Sequence, residues 1–384
     1  MKFHVERDQF AEAVAWAGRT VPARPSTPML SGLRIEASDA AAPLLSIASF
    51  DFEVSSRVQA AADVTEPGLA LVNGRLLVDI AKSLPAQPVE VETEGSRLRV
   101  RCGRASFELP TLPVEEYPEL PAMPQRSGSV PGSLLASAVS QVAVAAGREE
   151  SLPFLTGVRV EVDGEAVTLA ATDRYRLAVR TLTWSPQSED FSAAALVPAR
   201  TLADTAKALA HADRVDLAFS AAAVGEGMLG IEGQVDGQQR RTTTRLLEGD
   251  FPSYRTLLPA ESPTVARVET AALTEAVKRV ALVAERSSPV RMIFNGQELV
   301  LEAGAGDDPI GLDAIECVIT GAPLERIAFN PAYLLEGLAA ISQPVTNMAF
   351  TTENKPAVLT GAASFDADAD DDYLYLLMPV RLPA

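Results

Sequence analysis

The sequence predicts an α+β protein made of three tandem, similar domains. Two observations lead to this prediction. The chain repeats itself at an offset of about 125 residues, and segments rich in Pro, Gly and Ser separate the copies at residues 118–132 and 259–263. The length of 384 residues agrees with it, because single domains commonly contain about 150 residues.

Each predicted copy opens with a short strand, KFHVE in the first copy, and continues with an amphipathic helix. Phe10, Val14, Ala17 and Val21 follow the helical spacing and would share one face of that helix. Alternating segments such as VRVEVDG and AVTLAATD predict strands. A second helix, at 75–84 in the first copy, and further strands complete the copy. Each domain is therefore expected to be a doubled helix-plus-antiparallel-sheet unit, with six helices in the chain.

The repeat is clearest at the second helix, where VNGRLLVDIAKSL at 72–84 aligns with VPARTLADTAKAL at 197–209. The weaker third copy contains FNPAYLLE at 329–336 and VETAALTEAV at 268–277. Chance is a poor explanation for several matches at one common offset. We predict domain boundaries at 1–122, 130–255 and 262–384.

Composition limits the class of protein. Two cysteines, Cys102 and Cys317, are too few for a disulfide scaffold. The opening MKFHVERDQF lacks the apolar core of a signal peptide, and no apolar run approaches the ~20 residues of a membrane helix. A cytoplasmic protein without a membrane partner is expected. The net charge of −18 argues against a simple nucleic-acid binder, unless the few basic residues are gathered on one surface.

Motifs for cofactor or metal chemistry are weak. GEGMLG at 225–230 has dinucleotide-motif spacing, but its surroundings indicate a hairpin rather than a strand followed by a helix. DADADDD at 366–372 lacks the Gly and Glu of a calcium loop and indicates a solvated acidic loop. His4 and His211 have no companions at metal-ligand spacing. We expect no cofactor, no metal and no catalytic residues, although an acid/base pair of carboxylates stays open.

Basic residues recur at equivalent helix positions. Arg75 and Lys82 are two helical turns apart and would share a face, and the second copy repeats the pair. Asp79 lies four residues after Arg75, so an intrahelical ion pair on a solvated face is an equally open explanation. The third copy has Ala332 in place of the arginine, which weakens strict symmetry.

Four segments carry a resemblance over almost the whole chain. They are the opening MKFHVERDQF with RPSTPMLSGL, LAATDRYRLAV at 169–179, GDFPSYRTLLP at 249–259 and the ending YLYLLMPVRL at 373–382. In this order, in a chain of this length and over a threefold repeat, they resemble the β subunits of bacterial DNA polymerase III, the sliding clamps.

The resemblance implies a head-to-tail homodimeric ring that encircles duplex DNA without reading its sequence. Helices would line the hole, and the chain would be a processivity factor without chemistry of its own. An ATP-dependent clamp loader would open the ring. The basic residues expected to face DNA are Arg24, Arg75, Lys82, Arg148, Arg200, Lys207, Arg279 and Arg286.

The resemblance also implies a groove for short peptides of the DNA polymerase III α subunit, the clamp loader, other polymerases and repair proteins. Its expected members are Leu155, Thr172, Arg174, Tyr175, Arg176, Leu177, Pro252, Thr256, Leu257, Leu376, Leu377, Met378, Pro379, Val380, Arg381 and Leu382. Many family members have Gly or Ser at the position of Arg174, and some have Arg at that of Thr256. These departures are expected to affect which peptides bind rather than the function itself.

For the contact between chains, the resemblance places Phe107 and Leu109 on one side and Leu282 and Val283 on the other. Two other interpretations stay open. The chain could be an acidic interaction scaffold of the same fold, or a specialised paralogue, that takes no part in general replication. It could also be an enzyme that uses scattered carboxylates.

Overall fold

The computed structural model describes residues 1–39, 43–149, 151–220, 227–284, 288–304 and 309–381. The chain forms two compact units. One contains residues 1–136, 184–191 and 204–246, and the other contains 137–183, 192–203 and 247–384. No helix in the described ranges is long and apolar enough to span a membrane.

The first copy contains nine strands and two α-helices. In chain order these are β1 (Lys2–Val5), α1 (Arg7–Ala17), β2 (Gly32–Ser38), β3 (Leu44–Phe50), β4 (Val54–Ala61), β5 (Asp63–Glu66), β6 (Gly68–Asn73), α2 (Gly74–Ser83), β7 (Val89–Glu94), β8 (Arg97–Cys102) and β9 (Ala105–Leu112).

The second copy has the same order of elements. These are β10 (Gly128–Val130), α3 (Gly132–Ala143), β11 (Gly157–Asp163), β12 (Ala166–Thr172), β13 (Arg176–Thr183), β14 (Ser185–Pro186), β15 (Ser192–Pro198), α4 (Ala199–Ala208), β16 (Val215–Phe219), β17 (Met228–Val235) and β18 (Gln238–Arg245).

The third copy repeats the order once more. Its elements are β19 (Thr264–Glu269), α5 (Thr270–Ala281), β20 (Val290–Asn295), β21 (Glu298–Ala303), β22 (Gly311–Glu316), β23 (Val318–Gly321), β24 (Arg326–Phe329), α6 (Pro331–Ala340), β25 (Val345–Phe350), β26 (Ala357–Ala362) and β27 (Tyr373–Leu377). The described residues thus contain the six predicted α-helices, and the strand pairs are antiparallel as expected.

The predicted repeat offset has a direct structural counterpart. Gly32 opens β2 and Gly157 opens β11, 125 positions later, and the second helices open at Gly74 and Ala199 with the same spacing. One sequence expectation needs correction. The linker predicted at 118–132 already contains β10, because these three residues pair with β16 and β14 and so find backbone partners despite their Gly- and Pro-rich surroundings.

The first unit contains one 14-stranded sheet with the order β14-β10-β16-β17-β18-β4-β3-β2-β6-β9-β8-β7-β1-β5. β18, the last strand of the second copy, pairs with β4, the fourth strand of the first copy. A side-chain hydrogen bond also joins these two strands, because the Ser55 and Thr243 hydroxyls lie 2.6 Å apart. Backbone pairing therefore joins the first two copies into one sheet.

The second unit contains a nine-stranded sheet with the order β15-β11-β12-β13-β27-β26-β25-β19-β23 and a four-stranded sheet with the order β22-β21-β20-β24. Here β27, the last strand of the third copy, pairs with β13, the fourth strand of the second copy. The same joint is thus made twice, each time between the fourth strand of one copy and the last strand of the next.

The opening helix α1 packs as its sequence predicts. Phe10, Val14 and Ala17 are fully buried, whereas Val21 lies beyond the end of the helix but is also buried. Asn73 caps α2 by accepting a hydrogen bond from the backbone N–H of Leu76, the N-cap role for which asparagine is favoured.

The two weak ligand motifs lie in strands and loops. Gly225 is outside the described residues, but Gly230 belongs to β17 and pairs with Thr243 in β18, so a strand and not a helix follows the motif. In the acidic segment, Asp370 and Asp372 lie 3.9 Å and 3.5 Å from the Arg180 guanidinium. No group of three or more potential metal ligands occurs among the residues that the structure describes.

Candidate functional site

A tight turn joins β12 to β13 at the place where the groove was expected. The Asp173 carboxylate accepts hydrogen bonds from the backbone N–H groups of Tyr175 and Arg176. Arg174, which directly follows Asp173, adopts φ +78°. The first copy has the same turn, with Phe52 at φ +76° after Asp51. An aspartate that folds the chain back on itself therefore fixes the direction of this segment in both copies.

Arg176, the first residue of β13, is the last residue of the turn and is buried. Its side chain is 3% exposed and forms ion pairs with Asp173 at 3.0 Å and with Glu336 of α6, while its guanidinium lies 4.4 Å from the ring centre of Tyr333. Burial alone would lower the pKa of Arg176, but the hydrogen bond to Glu336 and the neighbouring Tyr375 hydroxyl raise it. Arg176 therefore stays charged, and its ion pair with Glu336 connects the turn to α6.

A cavity of about 300 Å³ opens beside this turn. Tyr175, which is 56% exposed, stacks over Tyr333 with ring centres 6.2 Å apart. Leu155 is buried beneath the cavity and contributes an apolar surface. The complete lining is Ala146, Gly147, Arg148, Glu149, Leu152, Leu155, Asp173, Arg174, Tyr175, Arg176, Ala332, Tyr333 and Glu336.

A cluster of apolar side chains lies on the neighbouring strands of the same unit. Leu177 and Leu376, both expected in the groove, are buried together with Tyr254. Leu257, Met378 and Val380 remain exposed. Buried leucines supporting exposed apolar side chains form a surface on which an aliphatic or aromatic anchor can lose its water shell.

Hydrogen bonds connect the segment that contains Pro252, Thr256 and Leu257 to β11. Glu161 accepts hydrogen bonds from the Tyr254 hydroxyl at 3.1 Å and from the Arg255 guanidinium at 2.6 Å. Burial and the Glu161 carboxylate raise the pKa of Tyr254 to about 12, so the phenol stays protonated and remains a donor at neutral pH.

The C-terminal segment runs past the turn. The backbone N–H of Met378 donates to the carbonyl of Tyr175 at 2.9 Å, and the N–H of Val380 donates to the carbonyl of Ala328 at 2.8 Å. Met378 is thereby held next to Tyr175, and both side chains are exposed. A thioether without branching can adapt to differently shaped ligands.

The remaining expected groove residues have supporting positions. The Thr172 hydroxyl donates to the Arg176 carbonyl and the Thr256 hydroxyl donates to the Ser253 carbonyl, so both hydroxyls hold turns. Leu377 is fully buried, and Pro379 and Arg381 follow Met378 in the C-terminal segment. Leu382 lies outside the described residues.

Sequence reasoning missed Tyr333 and Glu336, which lie one turn apart on α6 and face the cavity. The sequence did contain a signal. FNPAYLLE matches the second helix of the other copies, but Tyr333 stands where those helices have Leu76 and Thr201, and Glu336 falls on the aspartate that both of them carry. Arg176, buried and placed in a turn, needs carboxylate partners, and Glu336 is one of them.

The basic residues that were expected to face DNA and that the structure describes are exposed, but their surroundings differ. Arg75 and Lys82 lie on α2, opposite the buried Leu77 and Ala81, and no ion pair joins Arg75 to Asp79 in the described part of the chain. Exposed positions are also found for Arg24, Arg200 and Lys207.

Three other members of this set stand apart. Arg279 forms an ion pair with Asp313 of β22 at 2.7 Å, and Arg148 lies at the cavity, 3.7 Å from Glu336. Arg286 is outside the described residues. Sequence spacing alone could not separate these from the exposed pair on α2.

The residues expected between chains also differ from one another. Leu282, just after α5, is 85% exposed, while Val283 is half-buried against Gly311 at the start of β22. On β9, Phe107 is half-buried, but Leu109 is 1% exposed and packs within its own protomer. Leu282 and, in part, Phe107 and Val283 are therefore accessible on the surface of the protomer.

Comparison with known proteins agrees with this architecture. Family models described as the N-terminal, central and C-terminal domains of the DNA polymerase III beta subunit match residues 1–121, 129–253 and 255–381. The beta sliding clamp of Streptomyces coelicolor is 56% identical over 382 residues and covers both chains completely.

Solved structures give the same result. The sliding clamp of Bacillus subtilis superposes with a TM-score of 0.88 at 26% identity over the full length of both chains. The Pseudomonas aeruginosa sliding clamp bound to griselimycin gives the same TM-score, identity and coverage. The chain therefore belongs to the DNA polymerase III beta subunit family, the bacterial sliding clamps.

Proposed function

We propose that two copies of this chain close head to tail into a ring around duplex DNA, and that the groove on the second unit tethers replication and repair proteins to it. The pattern of strand joints carries this proposal. Within the chain, the last strand of one copy twice pairs with the fourth strand of the copy before it.

Continuing that pattern leaves one joint to be made between chains. The fourth strand of the third copy is β22, and the last strand of the first copy is β9. In the described residues, β22 pairs only with β21, and residues 105–110 of β9 pair only with β8. Each protomer thus has one free edge of each kind, as a head-to-tail contact requires.

The helix that flanks the first internal joint supports the same assignment. At the joint of β4 with β18, Arg240 of β18 forms an ion pair with Glu12 of α1 at 2.8 Å and lies 5.7 Å from the ring centre of Trp16. Arg240 is the third residue of β18, and Phe107 is the third residue of β9. By this equivalence Phe107 would meet the end of α5, where Leu282 is exposed.

The proposed partners in the groove are short peptides of the polymerase III α subunit, the clamp loader, other polymerases and repair proteins. An apolar surface with a few polar groups is the usual form of such a site. We expect a labelled peptide with a Gln-x-x-Leu-Phe motif to bind with micromolar affinity, near −8 kcal/mol.

Replacing Met378 by alanine should weaken that binding about tenfold, since it removes an exposed apolar contact held beside Tyr175. Fluorescence anisotropy would measure the affinity. Val318→Ala serves as the control, because Val318 is also an exposed apolar side chain of the same unit but lies on β23. Equal affinity for wild type and Met378→Ala would place the groove elsewhere.

Arg75 and Lys82 are proposed to contact the phosphates of encircled DNA, through water and without reading bases. Replacing both by glutamine should weaken binding of a duplex oligonucleotide at low salt. The slope of log affinity against log salt should fall by about 1 for each side chain that meets a phosphate.

Arg97 and Arg101 provide the matched control for this DNA measurement. They are also exposed on one element of the first unit, but they lie beside Glu108 and Glu90. Replacing both by glutamine should leave the salt slope unchanged. A double Arg75→Gln, Lys82→Gln variant that kept the wild-type slope would favour the scaffold interpretation of this surface.

A further inference from the structure

The rim of the cavity is more strongly charged than an apolar anchor requires. Arg148 and Arg174 are exposed there together with Glu149, and Arg176 lies buried below them. The arginines are not equivalent, because only Arg176 is enclosed by its carboxylate partners. The exposed ones remain accessible to a ligand.

The three arginines of the site differ in how closely carboxylates pair with them. Asp173 and Glu336 are both engaged by the buried Arg176. Arg148 reaches Glu336 only at 3.7 Å, and Arg174 reaches Glu149 only at 3.9 Å, the upper limit of an ion pair. Among the lining residues that the structure describes, Glu149 is therefore the only carboxylate not already held by Arg176, and two exposed guanidiniums lie on the same rim.

The backbone at Arg174 adds a second observation. Its φ of +78° belongs to a region that side-chain-bearing residues other than Asn and Asp rarely adopt. The turn itself is held by the Asp173 carboxylate and needs no side chain at position 174. An arginine is unfavourable for this backbone conformation. We therefore attribute its presence to the contacts that the guanidinium can make.

We propose that Arg174, with Arg148 beside it, makes the groove select peptides that carry a carboxylate next to the apolar anchor. The guanidinium offers a fork of N–H donors that fits a carboxylate, and its long contact with Glu149 can be exchanged for a ligand oxygen. This inference rests on the proposed peptide groove and specifies which of its ligands bind best.

The test uses two labelled peptides with the same apolar anchor, which differ only in Asp or Asn at the residue beside it. The wild-type protein should bind the Asp peptide about two- to fivefold more tightly at low salt, as expected for an exposed ion pair. The preference should shrink as salt increases. Arg174→Gly, whose backbone suits the positive φ, should lose most of this preference, and what remains is the contribution of Arg148.

Two further variants sharpen the test. Glu149→Gln removes the competing carboxylate and should increase the preference for the Asp peptide. Arg126→Gln removes an exposed arginine of the other unit, near Asp216, and should leave the preference unchanged.

The outcomes are distinguishable. Equal binding of both peptides to the wild type would overturn the selectivity and leave the groove standing. A preference that is as strong in Arg174→Gly as in the wild type would overturn the role of Arg174. Failure of the folded wild-type protein to bind either peptide would instead overturn the proposed groove.

Discussion

Leu282→Asp should convert the dimer to monomers at micromolar protein concentration. The side chain is 85% exposed in the protomer, so the substitution should leave the fold intact. At the proposed joint it would place a charge against the Phe107 ring. An unpaired charge buried in an apolar contact is strongly unfavourable.

The effect is large because a ring of two chains contains the joint twice. If each joint loses about 3 kcal/mol, a typical value for an interface hot spot, the ring loses about 6 kcal/mol. That corresponds to roughly a 10⁴-fold weaker dimer. Equilibrium sedimentation over a range of concentrations measures this directly.

Leu257→Asp is the matched control for Leu282→Asp. It is the same substitution of an exposed leucine in the same unit, but Leu257 belongs to the proposed groove. Leu257→Asp should remain a dimer and lose peptide affinity, whereas Leu282→Asp should be monomeric and retain it. A Leu282→Asp protein that sediments as the wild-type dimer would rule out this joint.

Arg176→Met should lower the free energy of unfolding of the second unit by about 3 kcal/mol. It leaves Asp173 and Glu336 without the cation that both contact, and removing one partner of a buried ion pair is more damaging than the pair is stabilising. The change also removes the guanidinium packed on the Tyr333 ring. The midpoint of urea unfolding, followed by tyrosine fluorescence, reports the loss.

Arg255→Met is the comparison for this stability measurement. Arg255 also forms an ion pair, with Glu161 at 2.6 Å, but its side chain is 64% exposed. Exposed pairs contribute at most about 1 kcal/mol, so the midpoint should shift far less. If the two variants lost equal stability, the buried network around Arg176 would not be the element that ties the turn to α6.

The architecture could be predicted from the sequence because it depends on regular patterns. Matches such as Arg75 with Arg200 and Lys82 with Lys207 fixed the offset, and periodicity identified the helices. β10 was assigned to a linker because its partner β16 is about 85 residues distant in sequence, and Gly and Pro dominate locally. Pairing over such a separation has no local signature.

The site was predictable only in part, for a related reason. Arg174, Tyr175 and Arg176 belong to a segment that resembles the family, and they line the cavity together with Leu155, whose place in the groove the resemblance also implied. Tyr333 completes the cavity from α6 and depends on the contact between that helix and the Arg176 turn. Burial of Leu109 likewise depends on neighbouring strands that the alternation of residues in β9 does not reveal.

The recurring strand joint has a consequence for stoichiometry. The proposed contact between chains repeats the strand joint that is made twice within each chain. The assembly is then a periodic array of copies in which the polypeptide backbone breaks after every third copy. The number of chains in the closed assembly is then set by the rotation from one copy to the next, not by any single side chain at the break. Substitutions at the break would change how long the assembly stays closed, while its symmetry would respond only to changes in that rotation.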